Sequence, residues 1–473
     1  MNNKKLAKNL ILSVAAQAIS LLTSFIVGLV VPKFIDEFQY SYWQIFLLYF
    51  NYVNIFNLGL LDGLLLKYSQ YDYDQLDQEK MRSQFKILLI ITSFFGVLIS
   101  LISFIALKDH FFQIGLLIAL GVLIHNIFIY NTHIFQMTNR INLYAVIVIT
   151  QRLLYGLIVL ALLILKIYDF YWFCLADIIS KIIGCIASAF FNKGLYFGKS
   201  LSPKLSIKEA FSNISAGAFL MLANTTSILI IGGAKMVIQW RWDELVFGKL
   251  AFSFSISNLF LSFVTAIGVV LFPSLKRTNA EEYPALHDKL RGMITYVLIF
   301  VLIGYFPGCW HLKLWFSPES SYVDGLQYLA IFLPLIIFYC RKNLLTNNYL
   351  KVFRKERFML FVNLTTLVVG FILFLICAYA FNSLEWMLYF LVLMIMLSSI
   401  VSEIVVMKQI GKLQIRHFII EFAMTAIFIF SARYCSLWIG FAVYAVALLI
   451  YSVFYRKDLA EICKPILLKL RKK

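Results

Sequence analysis

A chain of 473 residues that is 62% hydrophobic and 14% charged, with mean hydropathy +0.85, is not a soluble globular domain, since such domains are nearer half apolar and a quarter charged. Its net charge of +18 does not mark a nucleic-acid binder, because about 30 of the 42 lysines and arginines fall in alternate loops and tails, the asymmetry of the positive-inside rule. Seven scattered cysteines without a Cys-x-x-Cys pair argue against disulfides and zinc, and apolar runs of about 20 residues argue against a barrel of ~10-residue strands.

The expected fold is an all-α integral membrane protein of about fourteen transmembrane helices. The first apolar run, 9–31, follows Lys4, Lys5 and Lys8 and stops at Pro32. Ala16-Gln17-Ala18 resembles a signal-peptide cleavage site, but the run is too long for one and reads as a retained helix. Span 43–66 carries Asn51, Asn54 and Asn57, whose spacing puts them on one face of a continuous helix. There they either line a polar cavity or knit helices together. Asp62 sits near the inner end, and the loop 67–86, with its Tyr-Asp-Tyr-Asp run, reads as solvated. Spans 87–107, 111–137, 143–165 and 170–191 follow. Span 111–137 holds His125 and His133, read as packing histidines ahead of proton carriers. Arg152 lies in 143–165, and Asp177 and Lys181 lie in 170–191.

The clearest break is 192–209, where four lysines accompany Gly194, Gly198 and Pro203. It is either a cytoplasmic connector between two bundles or an ordinary loop within one. Spans 211–239, 246–272, 292–310, 325–350, 358–381, 384–407, 415–433 and 437–455 complete the chain. Lys235 lies near one end of 211–239, Pro273 closes 246–272, and Lys276, Arg277, Lys289 and Arg291 form an inner loop. Pro334, Arg341 and Lys342 lie in 325–350, and Glu403 and Glu421 in later spans. The organisation expected is a six-helix lobe over 1–191, a cytoplasmic connector over 192–210, a second six-helix lobe over 211–409, and a C-terminal helical hairpin with a basic tail over 410–473. An even count puts both termini and every basic loop in the cytoplasm. Asn9 and Asn213, Thr23 and Ser227, Gly28 and Gly232, Phe50 and Phe254, and Asn54 and Asn258 recur at one constant spacing. This is either a trace of parallel repeats about an axis along the membrane normal or chance in apolar sequence.

Ionisable groups inside spans cost about 2.5–3.5 kcal/mol each at the bilayer centre, which makes them functional candidates. Five are basic (Arg152, Lys181, Lys235, Arg341, Lys342) and three acidic (Asp177, Glu403, Glu421). The cationic excess points to an anionic substrate. Plainer readings exist: Asp177 and Lys181, four apart, neutralise each other, while Lys235, Arg341, Lys342 and Glu421 snorkel towards a helix end. Arg152 is deeper and has no acidic neighbour on its helix, which makes it the leading candidate. No nucleophile–base pair, phosphate-cradling loop or paired-carboxylate motif stands out, so no catalysis, metal or cofactor is expected.

The opening stretches KNLILSVAAQAISLLTSFIVGLVVPKFI and YWQIFLLYFNYVNIFNLGLLDGLLLKYSQY resemble the start of the Wzx-type polysaccharide flippases, members of the multidrug/oligosaccharidyl-lipid/polysaccharide exporter superfamily. In that family a first helix ends in a Pro-containing turn and a second ends in a D/N-L-G-L…K/R pattern, here Asn57-Leu58-Gly59-Leu60 and Lys67. Gln39-Tyr40-Ser41 stands where the family commonly has glycine. The resemblance implies two six-helix lobes facing each other in a V, alternating access, and a bacterial cytoplasmic membrane. It also implies a polyprenyl-diphosphate-linked glycan as passenger, with its diphosphate or acidic sugars on the cationic positions. Arg152, Lys181, Lys235, Arg341 and Lys342, with Asp177, Asn51 and Asn54, make up the expected cavity. Membrane lipids, a polysaccharide polymerase and glycosyltransferases would be partners, in a pathway such as O-antigen synthesis. Two alternatives stand beside it. A cation- or proton-coupled multidrug exporter needs acids at cavity depth, for which the first lobe offers Asp177 and Asp62. A membrane-embedded polysaccharide polymerase usually carries a long outer loop or a soluble domain, and neither is present.

Overall fold

The computed structural model describes residues 19, 22–259, 280–316, 320–413 and 415–455. Expectations resting on Lys4, Lys5, Lys8, Asn9, Ala16-Gln17-Ala18, Pro273, Lys276, Arg277 and the tail 456–473 lie outside these residues. Among the described residues every regular element is helical. In chain order these are α1 (Leu22–Phe34), α2 (Glu37–Phe50), a 3-10 turn (Val53–Asn57), α3 (Leu60–Tyr68), α4 (Gln78–Ala106), α5 (Asp109–Met137), α6 (Ile141–Ile164) and α7 (Phe170–Phe191). They continue with α8 (Pro203–Arg241), α9 (244–259), α10 (Tyr283–Leu302), α11 (Tyr305–Trp315), α12 (Ser321–Phe332) and α13 (Leu335–Val352). The last are α14 (Glu356–Ala380), α15 (Leu384–Gln409), α16 (Arg416–Tyr434) and α17 (Leu437–Phe454).

Local chemistry sets several starts. Asp77 and Asp169 accept backbone N–H bonds from Lys80 (3.1 Å) and Tyr171 (2.8 Å), satisfying donors that a helix N-terminus otherwise leaves free. Outward faces are apolar: Phe94, Leu98, Leu101 and Ile105 form a stripe along α4, with Ile105 82% exposed. Water would not favour such a stripe, but hydrocarbon covers it without cost. Among the described residues ten helices are long and apolar enough to cross a membrane, or up to twelve if each of two bent pairs is one span. The other two expected spans, 9–31 and 246–272, run into residues outside the described set.

The continuous helix expected over 43–66 is broken. α2 and α3 are bent by 59°, and Asn51 precedes the 3-10 turn that holds Asn54 and Asn57, so no continuous α-helical face carries all three. The 3-10 turn ends in two left-handed residues, Leu58 (φ 57°) and Gly59 (φ 85°). Asn57 holds the break: its amide donates to Asn54 Oδ1 (2.9 Å) and Asn126 Oδ1 (3.1 Å), and its oxygen accepts from Gly59 N (2.9 Å). A second break, of 51°, separates α12 from α13 at Leu333–Pro334, where the proline ring removes a helical donor.

The chain divides into two compact units, Met1–Gly232 with Asp243–Gly248 and Gly233–Trp242 with Lys249–Lys473. The 192–210 segment lies inside the first unit. Arg82 donates to the carbonyls of Gly194 (2.7 Å) and Lys199 (2.9 Å), and Lys86 donates to Ser200 (2.9 Å). Arg140 donates to Asn192 Oδ1 (2.5 Å) and stacks 3.8 Å from the Tyr73 ring centroid. Burial raises the Tyr73 phenol above its usual pKa, with Arg140 opposing that shift. Basic side chains that sequence pattern assigns to a free linker and loop therefore fasten one to the other.

Where α3 meets α8, backbones touch. A Cβ on Gly63 would lie 1.9 Å from the Asn213 carbonyl oxygen, and one on Gly217 would lie 2.1 Å from Gly59 O. By contrast, a Cβ on Gly308 would meet nothing within 4 Å. Gly63→Ala is therefore expected to destabilise the purified protein by about 1–3 kcal/mol through overpacking. Gly308→Ala should be neutral or stabilising by up to about 1 kcal/mol. Thermal unfolding in detergent checks both, and equal melting shifts would contradict the packing argument.

Candidate functional site

The first unit contains a cavity of about 400 Å³ walled by α1, α2, α5, α6 and α7. Its polar lining includes Asn51, His125, Gln151, Arg152, Asp177 and Lys181. Three of these bear charge, and their sum is one net positive charge with His125 neutral. Asp177 and Lys181, one turn apart on α7, form a buried ion pair, and the Lys181 ammonium lies 4.8 Å from the Phe50 ring centroid. Gln151 donates to Ser180 Oγ (2.8 Å), which donates to the Asp177 carbonyl (2.8 Å), tying α6 to α7. Arg152 sits midway along α6. Its exposed side chain makes no hydrogen bond or ion pair with a described residue. His125 is turned edge-on to Phe50, with Nδ1 buried and unbonded. His133 takes the packing role, its Nδ1 3.4 Å from the Leu61 carbonyl.

The cavity gathers four of the eight residues expected to line one, Arg152, Asp177, Lys181 and Asn51, together with His125. Asn54 lines a separate, smaller cavity, with Asn51 on the wall of both. Lys235, Arg341 and Lys342 belong to the second unit. Lys235 Nζ lies 4.5 Å from the Phe254 ring centroid, a cation–π contact, and makes no ion pair among the described residues. Lys342, 7% exposed, donates to Asn363 Oδ1 (2.7 Å) and to Ser398 Oγ.

Arg341 is fully buried and already answered by acids. It pairs with Glu403 (2.8 Å) and Glu421 and donates to Ser399 Oγ (2.8 Å). Arg291 joins the same cluster, pairing with Glu403 and lying 3.5 Å from Glu421, which also accepts from Thr295 (2.7 Å). Two guanidinium groups and two carboxylates sum to zero. The structure thus corrects two expectations. Glu421 does not snorkel; it is 1% exposed. Arg291 is not a loop residue, because α10 begins at Tyr283 and carries Arg291 inward to 0% exposure. In sequence both carboxylates lie inside spans, but nothing local marks Arg291, 112 residues from Glu403, as a partner.

Breaking a buried pair from one side leaves a charge uncompensated, at about 3–5 kcal/mol. Glu403→Gln should therefore lower the melting temperature sharply. The double replacement of Glu403 and Arg291 by Met should cost less than Glu403→Gln alone. A double variant less stable than the single one would contradict the pairing.

No protein-family model matches the chain, and no curated protein matches it. Among solved structures, the lipid II flippase MurJ matches with a TM-score of 0.68 at 11% identity, over 95% of this chain and 99% of that one. A multidrug resistance MATE family transporter of the MOP superfamily matches at 0.64 and 12%, over 85% and 98%. A MOP superfamily transporter from Pyrococcus furiosus Vc1, described as having a binding pocket of reverse polarity, matches at 0.51 and 12%, over 86% and 94%. At these identities the likeness is one of fold: the chain has the all-helical architecture of MOP-superfamily transporters.

Proposed function

We propose that the protein flips a polyprenyl-diphosphate-linked oligosaccharide from the cytoplasmic to the outer face of a bacterial cytoplasmic membrane, by alternating access, for surface polysaccharide synthesis. Arg152 carries this reading. A guanidinium midway along a membrane helix, facing a cavity and paired with no carboxylate among the described residues, is a costly group whose charge a diphosphate would compensate. Its planar fork matches phosphate oxygens two at a time, and attraction strengthens where water is scarce. An inside-negative potential favours outward movement of an anion by about 2.3 kcal/mol per charge per 100 mV. Lys235 is a second cation without an acidic partner among the described residues. The fold likeness to a protein named as a lipid II flippase agrees with a lipid-linked passenger.

A cation- or proton-coupled multidrug exporter is the second reading. Asp177 on the same cavity wall and the fold likeness to MATE transporters favour it.

In cells making the cognate glycan, Arg152→Gln is expected to reduce surface polysaccharide about tenfold or more, the equivalent of one lost interaction of about 1.4 kcal/mol, at unchanged protein level. Arg152→Lys should retain part of the activity. Normal glycan in Arg152→Gln cells, together with drug hypersensitivity in Asp177→Asn cells, would transfer the case to the exporter.

A further inference from the structure

Tyr389, Phe390 and Leu393 follow Trp386 at i+3, i+4 and i+7, which puts all four on one face of α15. That face and Tyr434, the last residue of α16, wall a cavity of about 530 Å³ in the second unit. Its size falls among small-molecule sites, about 300–1,000 Å³. Trp386 and Tyr434 are 58% and 68% exposed. Both stand at helix ends, the depth at which tryptophan and tyrosine gather between hydrocarbon and water. An aromatic belt would explain the rings alone. It does not explain Glu385, which lines the same cavity with its side chain 41% exposed.

Glu385 is held in place by Arg433. The guanidinium pairs with Glu385 Oε1 (2.5 Å) and donates to Gln327 Oε1 (3.0 Å), tying α15, α16 and α12 together. The other carboxylate oxygen, Oε2, accepts no hydrogen bond from a described residue. Beside it the Trp386 and Tyr389 rings stand at 62° with centroids 5.9 Å apart, forming a corner rather than a flat wall. Aromatic faces attract an ammonium group, and a carboxylate oxygen takes its N–H donors. Glu385 and Arg433 sum to zero, so the site rewards neither a net anion nor a net cation. A group that carries an ammonium and a phosphate on one short link matches that balance. Ser383, on the same wall, accepts from Trp386 N (3.4 Å). Its O–H remains to donate to a phosphate oxygen, at a helix N-terminus that favours anions. Phe390 and Leu393 continue the wall one and two turns along α15 towards the middle of the span, where only an acyl chain has reason to follow.

We infer that this cavity binds the headgroup of a zwitterionic, ethanolamine-type phospholipid, with its ammonium against Glu385 and the rings of Trp386, Tyr389 and Tyr434. The acyl chains run along Phe390 and Leu393. Occupancy clamps α15 to α16 at the end where Glu385 meets Arg433. The inference is independent of what the Arg152 cavity carries, because lipid binding alone tests it.

The full-length protein, purified in a nonionic detergent, is titrated by calorimetry with short-chain phosphatidylethanolamine, with phosphatidylglycerol of the same chains, and with soluble phosphoethanolamine. Phosphatidylethanolamine should bind saturably and about tenfold tighter than either of the others. Glu385→Gln should remove the preference over phosphatidylglycerol. It should fold, because a partly exposed ion pair contributes little to stability, and thermal unfolding checks this. Trp386→Leu should weaken phosphatidylethanolamine binding severalfold, and it serves as the second variant if Glu385→Gln fails to fold. Phe361→Leu, at an exposed ring elsewhere in the same unit, should leave binding unchanged. Equal affinity of wild type for the two lipids overturns the proposal. So does a preference that survives in folded Glu385→Gln. Phosphoethanolamine binding as tightly as the lipid likewise overturns it, in favour of a soluble ligand.

Discussion

Arg291 and Arg341 meet Glu403 and Glu421 in a medium that gives charges almost no other relief. At low dielectric a lone ion is expensive and a paired one tolerable, so every charge inside these helices must find compensation. The rest of the molecule follows this constraint by degrees. In the second unit the four-charge cluster cancels, Lys342 leans on neutral oxygens, and Lys235 rests over an aromatic face. In the first unit Lys181 is answered by Asp177 on its own helix. Arg152 is answered by no described residue and looks onto a cavity instead. The second unit thus closes four of its buried charges among themselves, while each unit also keeps a cation, Arg152 in the first and Lys235 in the second, that no described carboxylate pairs.

The broken span places polar backbone beside that opening. Breaking a membrane helix exposes N–H and C=O groups that neighbours must satisfy. Asn57 and Asn126 do so from within, since Asn126 also donates to the Val53 carbonyl (3.0 Å). Asn57 is fully buried because it is a structural clamp rather than a cavity wall, which leaves Asn51 and Asn54 to face the open spaces. The close approach of α3 to α8 at Gly63 and Gly217 fixes the far side of the break. The 192–210 segment, held by Arg82 and Arg140, belongs to the same assembly.

Much of this was legible in the sequence, because a span's identity depends on composition along twenty or so residues. Span 170–191 matches Phe170–Phe191, and 384–407 differs from Leu384–Gln409 by one end. Arg152 stood out because no acid lies near it on its helix, and that feature needs no tertiary information. What escaped depends on contacts distant in sequence. Arg291 looks like its basic loop neighbours until Glu403, 112 residues away, draws it inside. The break at Asn51–Gly59 escaped because three asparagines spaced by three fit a helix. Asn–Leu–Gly, the left-handed turn that ends it, sits in an otherwise apolar run.

The account stands most directly on whether the Arg152 cavity prefers a diphosphate. Binding of a short-chain polyprenyl diphosphate and of the matching neutral polyprenol to the purified protein, measured by isothermal titration calorimetry, separates charge from chain. The account predicts at least about tenfold tighter binding of the diphosphate, some 1.4 kcal/mol, with the difference lost on Arg152→Gln. Equal affinity for the two compounds, or a preference for the diphosphate that survives Arg152→Gln, would contradict it.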